Sequence, residues 1–345
     1  SRKPGVCFAT SGPGATNILT GLATAQADSA PMIAVTGQVP VAMIGKDAFQ
    51  ESDIIGMANP VVKYSFQPRL PGEVPEAVRK GFYIAETGRP GPVLLDIPKD
   101  VQQNEAPMDF PDEFTIQGYH PWNDPDVASV QKAVDMLVNS ERPIILAGGG
   151  TIISSAFAEL QSVAETLMIP VVTTFKGKGA FPENHPLSLG PIGMHGHAEA
   201  NKMMAEADCV LAIGTRFSDR SVGTFEAFEK RLKIIHMDVD PAEIGKNQTT
   251  NIAVVGDVRA SLRVMVKLLL QRSLKKSEDS VWIKHVRETK EYWKENLKIH
   301  PGEMGAAKIL RKLRELLPKE SVVTTEVGQH QMWASLFYDV IQPGT

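Results

Sequence analysis

The feature that most constrains this chain is a rhythm in which short, continuous apolar runs alternate with longer amphipathic stretches. GVCFAT at 5–10, PMIAVTG at 31–37 and PVLLDI at 92–97 are separated by the helix-like ILTGLATAQADS and PGEVPEAVRKGFYIAET. A strand buried on one face alternates apolar with polar residues, whereas a strand covered on both faces need not. Continuous runs between helical stretches therefore predict parallel sheets with helices on each side. A polar stretch at 104–126 with four prolines interrupts the rhythm and reads as an interdomain linker. Beyond it, a helix-like VASVQKAVDMLVNS leads to five strand-like runs between 142 and 257: RPIILAGGG, IPVVTT, ADCVLAIGT, LKIIHMDVD and IAVVGD. A charge-mixed helical region follows, and SVVTTEVGQHQMWASLF then reads as a strand, a turn and the beginning of a helix. The expected fold class is α/β, in tandem three-layer domains with mostly parallel sheets.

Composition narrows the function classes. With 345 residues, 43% apolar and 22% charged, and a net charge of −4, the chain has no electrostatic footprint for nucleic acid, so small molecules are the expected partners. The cysteines, Cys7 and Cys209, lie far apart in apolar runs. That placement predicts neither a disulfide framework nor a metal site and fits a reducing compartment. No apolar stretch approaches the roughly 18–20 residues that span a bilayer, and SRKPGVCFATSGP lacks a signal-peptide core. The expected location is cytoplasmic, away from membranes. The missing initiator Met and the end at Gln342–Thr345, just after a helix-like run, predict a fragment truncated at both ends inside folded domains.

In open parallel sheets, ligands gather where strand ends meet helix N-termini. SGPGATN follows the first run, and its glycines allow a sharp turn and a close backbone approach, while Ser11, Thr16 or Asn17 could cap a helix or bind a ligand. A tight β-to-α turn alone explains it equally well. No Gly-Lys-Ser/Thr follows, so it is not a phosphate loop, and neither it nor AGGGT at 147–151 is a GxGxxG motif. Asp238 and Asp240, at the end of LKIIHMDVD, could accept ribose hydroxyls or cap a helix. GTRFSDR carries Arg216, Asp219 and Arg220; the arginine forks suit carboxylates or phosphates, with an ion pair to Asp219 as the plain alternative. His195 and His197 in GMHGHAEANK are poorly spaced for zinc and read as a turn leading into a helix. Pattern alone gives a multi-site α/β nucleotide or cofactor binder with the reaction unassigned.

In the order SGPGATN, GQVPVAMIGKDAFQE, GRPGPVLLDIPKDV, GMHGHAEAN, GTRFSDR, VGD and TTEVGQHQMWA, the chain resembles the thiamine-diphosphate-dependent acetolactate synthases, specifically their FAD-containing catalytic subunits. The resemblance implies a pyrimidine-binding domain over 1–105, a linker over 106–124, a central FAD-binding domain over 125–270, a helical connector over 271–300 and the start of a pyrophosphate domain over 301–345. It implies decarboxylation of pyruvate and joining of the two-carbon unit to a second 2-keto acid, pyruvate or 2-ketobutyrate, for branched-chain amino-acid synthesis. Thiamine diphosphate would carry the chemistry and FAD would be structural. Mg2+ ligands are expected beyond the C-terminal end, and the upstream catalytic glutamate is absent, so the chain alone is expected to be inactive.

Carried over by residue, Arg89, Gly148, Gly149, Met194, His195, Gly196, Gly214, Thr215, Arg216, Asp238, Asp240 and Glu243 would line FAD, with Asp257 at its adenine end. Phe49, Gln50, Lys99, Asp219 and Arg220 would border the substrate channel, Asp219 counting also among the cofactor contacts and Arg220 as carboxylate anchor. Pro13, Gly14 and Asn17 would lie near the thiamine pyrimidine, and Val327, Gly328, Gln329 and His330 near the diphosphate. No residue is assigned to metal. Two departures stand out: Ser218 replaces an acid of the family's RFDDR, and Lys176-Gly177-Lys178-Gly179 replaces Met-Gly-Leu-Gly. Homodimers or homotetramers and a small regulatory subunit are implied partners. Glyoxylate carboligase and a non-catalytic nucleotide-binding module are the alternatives.

Overall fold

A computed structural model describes residues 3–111, 113–121, 124–222, 232–296 and 305–345. The chain divides into two compact units, Ser1–Pro121 and Trp122–Thr345. The first runs β1 (Gly5–Ala9), α1 (Pro13–Asn17), α2 (Leu19–Asp28), β2 (Met32–Gln38), α3 (Ile54–Ala58), β3 (Tyr64–Phe66), α4 (Val74–Glu86), β4 (Pro92–Pro98) and α5 (Lys99–Gln103). Its four strands pair in parallel in the order β1-β2-β4-β3. β4 shows why PVLLDI is continuously apolar. Leu94 packs on one face with Ala15, Leu22 and Ile54, while Val93 and Leu95 pack on the other with Ile33, Ala77 and Ile84.

β3 lies in a stretch whose sequence gives no strand pattern; it is three residues long and is defined by its ladder with Val93–Leu95. The proline-rich stretch after α5 forms no helix or strand among its described residues. Part of it nevertheless lies on α4. Ile116 and Tyr119 pack against the core of the first unit, and the Tyr119 hydroxyl donates to the Thr87 carbonyl at 2.8 Å.

The second unit continues with α6 (Val127–Val138), β5 (Pro143–Ala147), α7 (Gly149–Ile153), α8 (Phe157–Leu167), β6 (Val171–Thr173), β7 (Ser188–Pro191), α9 (Ala198–Glu206), β8 (Cys209–Ile213), α10 (Asp219–Val222), β9 (Lys233–Asp238), β10 (Ile252–Val255), α11 (Val258–Gln271), α12 (Val281–Asn296), α13 (Ala306–Leu316) and α14 (Gln329–Phe337). Its six parallel strands follow the order β10-β9-β8-β5-β6-β7. Alternate residues of β5 divide between two cores: Ile145 and Ala147 join α6, α8 and α11, while Ile144 and Leu146 join α9 and Trp282 of α12.

Two readings of the sequence change here. β7, with sequence SLGP, was not expected, because Gly and Pro weaken the strand signal; its edge position removes the need for a donor at Pro191. SVVTTE was expected to be a strand, yet residues 321–326 form no described strand, and Val322 and Val323 are exposed. Apolar residues become a strand only where a neighbouring strand takes up their backbone groups.

Candidate functional site

The order of the second sheet reverses between β5 and β8. The chain moves from β5 outward to β6 and β7, then returns to place β8 on the other side of β5. Such a switch point opens a crevice at the carboxyl ends of the strands, and the two glycine turns meet there. Gly148 N–H donates to Ile213 O at 2.8 Å, and Gly150 N–H to Gly214 O at 3.0 Å. Gly214 adopts φ +54°, and a Cβ on it would come within 2.6 Å of the Gly150 Cα. Gly148 and Gly150 are fixed by this interlocking of backbones, so part of the triple-glycine signal is structural.

Three successive carbonyls of the GTR turn are each engaged by the protein. Gly214 O accepts from Gly150, Thr215 O accepts from His236 Nε2–H at 2.9 Å, and Arg216 O accepts from the Asn247 side chain at 2.8 Å. His236 is buried on β9, and Phe217, whose ring meets it edge-on, holds φ +49°. A bulky residue in the left-handed region is strained and persists only where its surroundings impose it. Burial keeps the imidazole below its ordinary pKa, against the raising effects of the Thr215 hydrogen bond and of Glu243. Neither His236 nor Asn247 was among the residues expected at a site. Their signal is tertiary, because each acts on a carbonyl more than 20 positions away.

At the end of β9, Asp238 accepts from the Asp240 amide at 2.9 Å and Asp240 from the Ala242 amide at 3.0 Å. Turns rather than a helix follow, so the helix-cap alternative for these acids gives way to side chain-closed turns. Nearby in sequence, Gln248 is 2% exposed, and neither atom of its carboxamide has a hydrogen-bond partner among the described residues. Asp257 caps α11 by accepting from the Ala260 amide at 2.9 Å. Met194 and His195 are exposed, and Met194 N–H reaches the Arg220 carbonyl at 3.4 Å, which joins GMHG to the FSDR stretch. His197 forms the N-cap position of α9, in keeping with a turn leading into a helix. Arg220 and Asp219 lie 3.8 Å apart with side chains 73% and 70% exposed, a pairing that contributes little in water. Val327, Gln329 and His330 are exposed at the start of α14, beside Gly328.

The carboxyl edge of the first sheet carries a second group of candidates. Gly12, at φ +62°, begins the turn into α1, and a Cβ there would meet Gln50 O at 2.9 Å. That approach brings SGPGATN and the DAFQE loop together. In the loop, Asp47 and Gln50 adopt φ +55° and +61°, while Glu51 accepts from the Gly45 and Ala48 amides. Phe49 is 89% exposed at its tip. Pro13 and Asn17 are exposed and Gly14 is half-buried. Lys99 is exposed at the start of α5, and the adjacent Asp100 accepts from Val41 N–H at 3.1 Å, tying α5 to the loop that follows β2. Arg89 lies in this unit, where its Nε donates to Ser29 Oγ at 2.9 Å.

Beneath this edge sits a residue not expected from the sequence. Asp96 is fully buried and accepts from Thr36 Oγ1 at 2.7 Å, Gln67 Nε2 at 2.8 Å and Gln38 Nε2 at 3.1 Å. Burial raises its pKa against these hydrogen bonds. Gln38 also donates to Ser52 O at 2.9 Å, so the carboxylate anchors both ends of the loop that carries Phe49 and Gln50.

Among the described residues, no cluster of three His, Cys, Asp or Glu could hold a metal ion, and no helix is long and apolar enough to cross a membrane. Residues 1–57 match the N-terminal TPP binding domain of thiamine pyrophosphate enzymes, and residues 130–265 match their central domain. The chain is 46% identical to the probable acetolactate synthase large subunit of Methanocaldococcus jannaschii, over 99% of this chain and 59% of that protein. It is 41% identical to the large subunit from Corynebacterium glutamicum, over 99% of this chain and 55% of that protein. For acetolactate synthase 3, chloroplastic, of Brassica napus, the identity is 41%, over 99% of this chain and 53% of that protein. The chain thus spans between about half and three-fifths of the length of these relatives. With parallel sheets of the expected kind and two domain matches in the expected order, the chain carries the N-terminal and central domains of thiamine pyrophosphate enzymes and is homologous over nearly its whole length to acetolactate synthase large subunits.

Proposed function

We propose that this chain is part of an acetolactate synthase catalytic subunit, which decarboxylates pyruvate and joins the two-carbon unit to a second pyruvate or to 2-ketobutyrate. The observation that carries this reading is the meeting of the SGPG turn with the strained DAFQE loop at the carboxyl edge of a parallel sheet. Thiamine diphosphate, when bound, supplies the electron sink for decarboxylation. The chain's own residues bind and orient: Pro13, Gly14 and Asn17 form a wall for the pyrimidine, Phe49 and Gln50 border the substrate and exclude water, and Lys99 supplies positive charge. At α14, Val327 to His330 would approach the diphosphate. Magnesium is assigned only as the companion of that diphosphate.

The crevice between β5 and β8 fits FAD in a structural role. Pinned carbonyls at 214–216 pre-set a rigid turn, Asp238, Asp240 and Glu243 offer acceptors for ribose hydroxyls, and the Gln248 carboxamide retains its hydrogen-bonding capacity. Gly149, Met194, His195 and Gly196 are assigned to the same site. The relatives' name, large subunit, supports a small regulatory partner, and we assign the protein to homodimers or homotetramers.

Full-length protein supplied with thiamine diphosphate, magnesium and FAD is expected to convert pyruvate to acetolactate. Condensation of glyoxylate in its place would transfer the reading to glyoxylate carboligase. Arg220 is assigned as carboxylate anchor because its fork is exposed beside GMHG. Arg220→Ala is expected to raise the pyruvate KM about tenfold or more with a smaller change in kcat. An unchanged KM removes that assignment.

A further inference from the structure

The stretch Lys176-Gly177-Lys178-Gly179 departs from the family pattern, and the structure gives its second lysine a specific task. Lys178 Nζ lies 2.6 Å from both carboxylate oxygens of Glu183, with side-chain exposures of only 14% and 5% for the pair. The same ammonium donates to the Ser335 carbonyl at 3.0 Å. Ser335 lies in the last turn of α14, where carbonyls lack intrahelical donors and the helix dipole is negative, so a cation is favoured there on two counts. Glu183 completes the contact from its own side. Its Oε2 accepts from Val340 N–H at 2.6 Å, and its amide donates to Val340 O at 3.1 Å. Two residues of one loop thereby hold the carboxyl end of α14 and the chain just beyond it.

The residues just before Lys178 touch the triple-glycine turn. Thr174 N–H donates to Ala147 O at 3.0 Å, and a Cβ on Gly149 would lie 3.2 Å from Lys176 Cβ. Residues 175–177 form a single helical turn closed by Thr174, whose Oγ1 accepts from the Gly177 amide at 3.1 Å. The loop therefore has little slack between its contact with the glycine turn and its hold on α14.

We propose that Lys178 is a positioning residue that fixes α14 against the glycine turn, so that occupancy of the flavin site is transmitted to the helix whose N-terminus carries Gln329 and His330. The transmission rests on the flavin reading; the docking by Lys178 does not. Hydrogen exchange followed by mass spectrometry on the chain tests both. Without FAD, Lys178→Leu speeds exchange across 329–340 by about tenfold, leaves β5 and β8 unchanged, and Lys178→Arg restores protection. Exchange at the wild-type rate in Lys178→Leu overturns the docking role. Saturating FAD slows exchange across 329–340 in the wild type and in Lys178→Arg but not in Lys178→Leu. FAD that binds without protecting α14, or that protects it equally in Lys178→Leu, overturns the transmission. Absence of FAD binding to the wild type in a fluorescence titration overturns the flavin reading instead, and the FAD-free comparison still decides the docking. If Lys178→Leu does not fold, the double variant Lys178→Met, Glu183→Gln removes both charges together and is read the same way.

Discussion

His236 carries the most informative chemistry at the residue scale. A backbone carbonyl only accepts, so the hydrogen bond to Thr215 places the proton of the neutral ring on Nε2. Because burial depresses the folded-state pKa, the unfolded chain takes up the proton first as pH falls. The stability that depends on a neutral His236 is present above about pH 6.5 and is lost below it, by at most about 1.4 kcal/mol per pH unit. Chemical denaturation at a series of pH values is expected to show this slope in the wild type and a shallower one in His236→Gln. Nothing in KIIHMD marks the histidine for this role, since a lone polar residue in an apolar run reads only as a tolerated core residue. The Thr215 carbonyl gives it a task, and sequence distance hides that partner.

The elements divide by the range of the forces that define them. α11 rests on a local signal that the sequence reading passed over: Asp257 precedes an amphipathic stretch and caps the Ala260 amide. The resemblance assigns the same carboxylate to the adenine end of FAD, and one experiment separates the two roles. Asp257→Ala is expected to lose about 1 kcal/mol of stability, while Asp257→Ser retains most of it through its own hydroxyl. A flavin affinity that falls in both variants would add the adenine role to the cap; an affinity preserved in Asp257→Ser would leave the cap alone. β3, β7 and the stretch 321–326 were misread because their signal is not local. A three-residue YSF or a SLGP has no period to detect and is a strand through its neighbour, whereas SVVTTE has the composition without a described partner.

At the scale of the whole molecule, the flavin reading has a thermodynamic consequence. A ligand that binds only the folded state at a hundred times its Kd adds about 2.7 kcal/mol of stability. FAD is therefore expected to raise the thermal midpoint of the second unit, and a midpoint unmoved by saturating FAD would count against the crevice between β5 and β8. The sequence by itself determined the fold class, because continuous apolar runs can be buried only between two helical layers, and such burial is a property of composition along the chain. It also marked the glycine turns, since their residue types stand out locally, whereas the loop carrying Phe49 and Gln50 was marked only by the family resemblance. The tertiary structure alone decided what each glycine is for, which carbonyls are pinned, that Asp96 anchors the loop from below and that Lys178 reaches α14. These are contacts between segments far apart in sequence, and hydrogen bonds and close packing act over a few ångströms of space whatever the separation along the chain.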